Sequence, residues 1–231
     1  MNKNILIALL GMIGGLGYLV GISADHLVLQ QATRVIPHLA FIYFLTRVWS
    51  VKSDGYRLWT LVGLISCMIG DFILRLPGGF LIGLIIFLIG HLFFIVAFSQ
   101  GGVKVHFVRA IPFVLYGLGF FFYLKPGLGA MTIPVAAYAC VICTMGWRAA
   151  ARIGFTDNEP ERQKRQVFAL IGACIFVLSD SMIGVNRYAF EVAGIRYVIV
   201  LTYWIALYFI TSSAQTVSVG NEKGSLSQAS V

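Results

Sequence analysis

Charged residues are scarce in this sequence. Only 11% of its 231 residues are charged, whereas 59% are hydrophobic, and the mean hydropathy is +0.88. A soluble domain of this length needs far more charged surface to stay in solution. The alternating segments of about ten residues that mark a transmembrane β-barrel are also missing. The apolar residues instead form long runs, and a run of about 18 or more crosses a bilayer as an α-helix. The sequence therefore predicts an all-α, polytopic membrane protein.

Several catalytic and cofactor chemistries lack the residues that they require. All six lysines lie at the ends of the apolar runs or between them, so none can form a Schiff base with retinal in the middle of a helix. The four histidines form no His-x-x-x-His pair and the four cysteines do not cluster with them, which argues against a zinc site. No Gly-x-Ser-x-Gly motif for a serine nucleophile is present. We therefore expect neither a metal nor an organic cofactor, and we expect Cys140 and Cys143 to serve in helix packing.

Eight apolar blocks predict a bundle of eight transmembrane helices. A single transmembrane domain is expected over residues 1–216, followed by a short disordered tail over 217–231. The first block is expected to be retained, because Ile22 stands where a signal-peptide cleavage site needs a small residue. The blocks cover residues 5–22, 33–50, 58–75, 80–99, 106–124, 129–150, 167–186 and 195–214.

The basic residues are divided unequally between the two predicted faces of the bundle. Twelve of the 17 lysines and arginines fall on the side that holds both termini, and five fall on the other side. The positive-inside rule then places both termini in the cytoplasm, with the polar segment 152–166 as a cytoplasmic loop. This bias explains the net charge of +8, so no nucleic-acid partner is predicted. The expected location is the inner (cytoplasmic) membrane of a bacterium.

Two of the nine acidic residues, Asp71 and Asp180, lie inside apolar blocks. A carboxylate at such depth costs on the order of 2.5–3.5 kcal/mol even on insertion scales, so it usually faces a polar interior and marks a functional site. Each aspartate lies 13 residues into its block, counted from Leu58 or Val167. At about 1.5 Å per residue both are roughly 20 Å from the cytoplasmic face, in the outer half of the bilayer. His91, on the returning fourth block, is expected somewhat deeper.

A plainer interpretation is that each aspartate only hydrogen-bonds a neighbouring helix. His91 likewise has the alternative of being a buried packing residue. Small residues, Gly70 and Ser179, precede the two aspartates and would allow another helix to approach closely. The two aspartate blocks are four apart and parallel, which hints at a 4+4 repeat.

Three groups of residues, two of them around the aspartates, form a recognisable pattern. They are Gly70, Asp71, Leu74, Phe80, Gly83, Leu84, Phe87, Gly90, His91 and Phe98, then Pro112, Tyr138, Met145 and Ala149, and finally Gly172, Ala173, Phe176, Ser179, Asp180, Ser181, Asn186, Tyr188, Thr202, Tyr203, Trp204 and Ala206. This pattern resembles that of the YhhN-like family of membrane proteins, whose characterised members are lysoplasmalogenases, and the resemblance covers most of the chain. The sequence departs from the family pattern at Ile36, where a lysine commonly precedes the proline, and at Leu207, where glutamine is frequent.

This resemblance implies hydrolysis of the vinyl-ether bond of a lysoplasmalogen to a fatty aldehyde and a glycerophospho-ethanolamine or -choline. The expected partners are therefore a vinyl-ether lysophospholipid substrate and membrane lipid, and no oligomeric state is predicted. Protonation of the alkene carbon and stabilisation of the resulting oxocarbenium ion suit two carboxyl groups, here Asp71 and Asp180. Residues expected to bind substrate are His91, Tyr138, Ser179, Asn186 and Tyr203, with Arg75, Arg187 and Arg196 available to the phosphate.

Two other functions fit the residues alone. A transporter could carry protons on Asp71 and Asp180. A metal-dependent lipid amidase or hydrolase could use both aspartates together with His91. The lack of proline-interrupted helices around the aspartates disfavours the transporter.

Overall fold

A computed structural model describes residues 3–47, 55–154 and 160–215. In these residues every regular element is helical and there is no strand, so the predicted all-α fold is confirmed. Two short 3-10 turns, Phe107–Ala110 and Gly129–Met131, precede α5 and α6. The α-helices are α1 (Lys3–Ser23), α2 (Leu27–Thr46), α3 (Gly55–Ile73), α4 (Phe80–Ser99), α5 (Ile111–Leu128), α6 (Thr132–Ala151), α7 (Pro160–Tyr188) and α8 (Ile195–Ser213).

Six helical stretches of the described chain are long and apolar enough to cross a membrane. One of them, Phe107–Ala151, contains both α5 and α6, so these stretches include every α-helix except α2. The protein is therefore an integral membrane protein. A total of eight spans with cytoplasmic termini stays a prediction, and the proposed tail at 217–231 lies outside the described residues.

The predicted boundaries of two helices were wrong. The second block was placed at 33–50, but α2 begins at Leu27, where the side chain of His26 caps it by accepting a hydrogen bond from the Leu29 backbone N–H at 3.1 Å. Residues 152–166 were predicted as a loop, yet α7 begins at Pro160. Proline is favoured at the first position of a helix, so Pro160 is a suitable start for α7. The polar residues after Pro160 therefore form the first turns of the helix, ahead of its apolar part.

The helices pack as three close pairs of sequence neighbours, α1 with α2, α3 with α4 and α7 with α8. The α6 helix joins the last two pairs by contacting α4 and α7, and α5 packs on the outside against α6. Aromatic side chains fill the centre, where Phe94, Phe98 and Phe176 are fully buried. Because α5 contributes few buried residues, one side of the bundle is loosely closed, which matters for the cavities described below.

Arginines at one end of the bundle bind backbone carbonyls at the ends of helices. Arg109 donates to Ala150 O at 2.9 Å near the end of α6, and Arg152 donates to Phe98 O at 3.1 Å near the end of α4. The last carbonyls of a helix have no partner within the helix and carry partial negative charge, so a cation stabilises them. This end coincides with the predicted cytoplasmic face. Some of the arginines that make this face more basic than the other therefore stabilise the ends of helices.

Gly172 lets α7 and α8 approach each other closely. A Cβ atom built at Gly172 would lie 2.9 Å from the backbone nitrogen of Ile210 and 3.0 Å from the carbonyl oxygen of Ala206. These neighbours are backbone atoms, so they could move only if the whole helix moved. Close backbone contact between small residues is a common way for membrane helices to associate.

We expect Gly172→Ala to lower the thermal unfolding temperature of the detergent-solubilised protein, because overpacking costs about 1–3 kcal/mol. The matched control is Gly119→Ala in α5, where a Cβ atom would meet nothing within 4 Å. That control should be neutral or slightly stabilising, since alanine favours helices over glycine. Equal unfolding temperatures for both variants would contradict this account of the α7–α8 contact.

Candidate active site

A chamber of about 250 Å³ opens at the end of the bundle where α3 ends and α4 begins. Nine of the ten residues predicted for the site line it, and His91 does not. Four arginines and two aspartates make the chamber strongly charged, whereas most of its remaining walls are apolar. The lining residues are Arg34, Asp71, Leu74, Arg75, Phe80, Leu84, Phe87, Tyr138, Ser179, Asp180, Ile183, Asn186, Arg187, Arg196, Ile199, Val200 and Tyr203.

Asp71 is held by a two-pronged ion pair with Arg34. The Nε of Arg34 donates to Asp71 Oδ2 at 3.0 Å, and its Nη2 donates to Asp71 Oδ1. The Arg34 side chain is 3% exposed and that of Asp71 is 15% exposed, so the pair is largely shielded from solvent. Two parallel hydrogen bonds from a guanidinium are the strongest and most directional partner that a carboxylate can have in a protein. Asp71 is therefore the chamber aspartate that has a guanidinium as its direct partner.

Arg34 belongs to a polar stripe along α2. Gln30, Arg34 and His38 are spaced four residues apart, so they share one face of the helix, and all three are buried. Each makes a different long-range contact. Gln30 donates to Gly21 O at 2.9 Å, and the Nε2 of His38 lies 2.8 Å from the hydroxyl of Tyr203 in α8. The stripe thus ties α2 to the end of α1, to α3 and to α8.

Asp180 has different neighbours. The hydroxyl of Tyr138 donates to its Oδ2, and the Nε2 of His91 lies 3.8 Å from the same oxygen, which is longer than a hydrogen bond. Within the described chain no arginine or lysine comes within 4 Å of the Asp180 carboxyl group. The two aspartates therefore face one chamber in different electrostatic settings.

His91 lies behind Asp180 rather than in the chamber. Its side chain is fully buried, and its ring packs edge-to-face on Phe176 with 4.6 Å between ring centroids and on Tyr138 with 5.4 Å. Direct contact with a molecule in the chamber would require His91 to move. In this position the imidazole packs against the ring of Tyr138, whose hydroxyl binds Asp180.

Four further predicted binding residues line the chamber and have contacts of their own. Arg196 donates to the side-chain oxygen of Gln30 at 3.0 Å, and the guanidinium of Arg187 lies 3.6 Å from the ring centroid of Phe80. The hydroxyl of Ser179 donates to Ile199 O at 3.0 Å and so joins α7 to α8. Asn186 accepts a hydrogen bond from the Val192 backbone N–H at 2.9 Å and orders the α7–α8 loop.

The two departures from the family pattern lie away from the chamber. Ile36 packs against Gly14 in α1, and Leu207 is fully buried in the core. Neither side chain lines the chamber. In the described ranges of the chain, no group of three or more histidine, cysteine, aspartate or glutamate side chains is arranged to hold a metal ion.

Sequence reasoning missed Arg34 and His38. Arg34 is the second residue of the predicted block 33–50, whereas the structure places it inside α2 and pairs it with Asp71. A usable signal was present, because Gln30, Arg34 and His38 recur every fourth residue in an otherwise apolar segment. Such spacing predicts one polar face on a helix.

The fold and the chamber together define a helical integral membrane protein with a charged cavity at one end of an apolar bundle. The family model described as "YhhN family" matches residues 29–214, so the chain belongs to the YhhN family. No solved structure matches the chain.

Curated relatives of the chain are lysoplasmalogenases. Lysoplasmalogenase TMEM86B of Rattus norvegicus is 28% identical over 77% of this chain and 70% of that protein. Lysoplasmalogenase TMEM86A of Homo sapiens is 32% identical over 66% of this chain and 63% of that protein. A lysoplasmalogenase of Mycobacterium tuberculosis is 31% identical over 57% of this chain and 51% of that protein. The chain thus spans about two thirds of the length of the two mammalian relatives.

The ion pair predicts how substitutions at Arg34 change stability. Arg34→Met should lower the unfolding temperature strongly, because removing one partner of a buried pair costs on the order of 3–5 kcal/mol. The double variant Arg34→Met/Asp71→Leu should recover most of that loss, since an apolar pair of similar volume is tolerated. Thermal unfolding in detergent measures both variants. Equal losses in the single and double variants would show that Arg34 acts through packing alone.

Proposed function

We propose that the protein is a lysoplasmalogenase, a hydrolase that cleaves the vinyl-ether bond of lysoplasmalogens. The observation that carries this proposal is the chamber itself, which holds one carboxyl group paired with an arginine and a second one that, among the described residues, has no arginine or lysine within 4 Å. The names of the curated relatives support the same substrate class. We also propose that this integral membrane protein lies in the inner membrane of a bacterium, with both termini in the cytoplasm.

The different settings of the two aspartates suggest a role for each. A buried carboxyl group without an adjacent cation is more easily kept neutral than one in an ion pair, because burial disfavours the charged form. We therefore assign Asp180 as the general acid and Asp71 as the carboxylate that stabilises the cation. The Tyr138 hydroxyl donates to Oδ2 of Asp180, which leaves Oδ1 to carry the proton.

The reaction then follows from ordinary vinyl-ether chemistry. Asp180 transfers its proton to the alkene carbon farther from the ether oxygen, and the carbon bonded to that oxygen becomes an oxocarbenium ion. The Asp71 carboxylate stabilises this cation electrostatically, and such aimed charge is effective in a site shielded from water. Water adds to the cationic carbon to give a hemiacetal and returns a proton to Asp180. The hemiacetal collapses to a fatty aldehyde and a free glycerol hydroxyl, so one water is consumed for each bond cleaved.

The basic residues of the chamber suit the other end of the substrate. Arg34 is already paired with Asp71, whereas Arg75, Arg187 and Arg196 are not ion-paired in the described structure. Guanidinium groups bind phosphate oxygens with two parallel hydrogen bonds. We propose that these three arginines receive the phosphodiester while the vinyl ether lies beside the aspartates.

Replacing either aspartate by its amide tests the assignment of the catalytic pair. Asp180→Asn removes the acid and Asp71→Asn removes the carboxylate, so each should lower kcat by at least about 100-fold. Aldehyde release from a lysoplasmalogen, measured by mass spectrometry, gives the rate. Asp25→Asn is the matched control, because Asp25 is exposed and has a positive φ that asparagine tolerates. Normal turnover by Asp71→Asn and Asp180→Asn would refute the mechanism.

A substitution at the mouth of the chamber should affect binding more than chemistry. Arg187→Gln removes a guanidinium that lines the chamber, so we expect KM to rise about tenfold with little change in kcat. Lys125→Gln is the control, because Lys125 contacts Phe122 and does not line the chamber. A fall in kcat at constant KM would argue that Arg187 does not bind the phosphodiester.

A further inference from the structure

A second, apolar cavity adjoins the chamber at Asp180. It has a volume of about 80 Å³, and it shares Phe80, Leu84, Tyr138, Asp180 and Ile183 with the chamber. From there it extends between α5, α6 and α7. The Asp180 carboxyl group therefore lies where a polar space and an apolar space meet.

A third cavity continues the second one along α5 and α6. It has a volume of about 350 Å³ and shares Gly117, Phe121, Ala139 and Cys143 with the second cavity. Its far end is reached at Trp147. Trp147 is nine residues beyond Tyr138 on α6, so the two cavities continue for about 14 Å past the aspartate.

The walls of this passage are built almost entirely from apolar side chains and small residues. The hydroxyls of Tyr116 and Ser181, which lie on α5 and α7, bond each other at 2.8 Å and so satisfy one another. A Cβ atom built at Gly117 would lie 2.8 Å from the Cys143 sulfur, so α5 and α6 are in direct contact where the linings of the two cavities meet. Only a slender, apolar occupant fits such walls.

We propose that the second and third cavities form a channel that binds the alkenyl chain of the substrate, with Gly117, Ala139 and Cys143 setting the chain length that is accepted. This inference rests on the proposed function. The occupant is a hydrocarbon chain because the passage begins at the carboxyl group assigned to protonate the vinyl ether, and that bond joins the chain to the glycerol.

The direction of the channel agrees with this occupant. The arginines that would meet the phosphodiester lie at the end of the bundle predicted to be external, and the channel runs from Asp180 toward the opposite end. A lysophospholipid in the outer leaflet has its headgroup at the surface and its chain directed inward. Such a lipid could therefore enter the site in the orientation that it already has in the outer leaflet.

The kinetic test uses two substrates that differ only in chain length. One has a chain no longer than about 7 Å when extended, which ends before Cys143, and the other reaches the level of Trp147. Ala139→Leu adds bulk to a wall that both cavities share, so it should lower kcat/KM for the long chain at least about tenfold relative to the short chain. Ala137→Leu, two residues away on the exposed face of α6, should leave this ratio unchanged.

A second matched pair lies on α5. Gly117→Val adds bulk against Cys143, where the linings of the two cavities meet, and should reduce the ratio of kcat/KM for the long chain to kcat/KM for the short chain. Gly119→Val should leave this ratio unchanged, because nothing lies within 4 Å of a Cβ atom at that position. Turnover of the short substrate shows that each variant is folded. An unchanged ratio in Ala139→Leu and Gly117→Val, or an equal loss for both chain lengths, overturns the channel.

A binding experiment separates this inference from the proposed function. A lysophospholipid with a saturated ether chain and a diazirine at its end cannot be hydrolysed by this chemistry, and it labels the residues that it contacts. Labelling of Phe113, Cys143 or Trp147, lost in Ala139→Leu, supports the channel whether or not the protein cleaves lysoplasmalogens. Labelling confined to lipid-facing residues such as Leu115 and Phe122 overturns it. Absence of aldehyde release by the wild-type protein would instead refute the proposed function.

Discussion

The ion pair between Arg34 and Asp71 is the interaction on which the polar part of this bundle depends. A carboxylate inside an apolar helix bundle is tolerated only when a cation and hydrogen bonds compensate for its lost hydration. Arg34 supplies both, and its position on α2 is fixed by Gln30 and His38 one turn on either side. One charged group in α3 thereby determines which face of α2 turns inward.

The asymmetry between the two aspartates follows from this constraint. The buried arginine of α2, Arg34, donates two hydrogen bonds to Asp71. The neighbours of Asp180 are instead the phenol of Tyr138 and the imidazole of His91. A carboxyl group paired with an arginine stays ionised more readily than one without a cation, so these different neighbours can separate the acid and carboxylate roles. The packing of α2 against α3, remote from α7, thus sets the chemical difference on which the proposed mechanism relies.

Hydropathy alone predicted the helical fold and singled out both aspartates, because long apolar runs and charges inside them are local signals. The start of α2 and the role of Arg34 were not predicted, since Gln30, Arg34 and His38 lower the local hydropathy although all three are buried. Their burial depends on partners that are distant in sequence, such as Tyr203, 165 residues from His38. A polar stripe at helical spacing can suggest such a contact, but single-sequence patterns cannot name the partner.

The basic residues at the two ends of the bundle have different roles, which a simple count of charges does not separate. At the predicted cytoplasmic end, Arg109 and Arg152 bind the carbonyls that terminate helices, so their charge is largely used within the protein. At the other end, Arg75, Arg187 and Arg196 line a chamber and are not ion-paired in the described structure. Like charges that converge on one cavity repel each other, and an anion bound between them relieves that repulsion. The end with fewer basic residues is therefore the one whose unpaired charge favours an anionic ligand. The apolar passage beside the chamber favours a ligand that also carries a hydrocarbon chain.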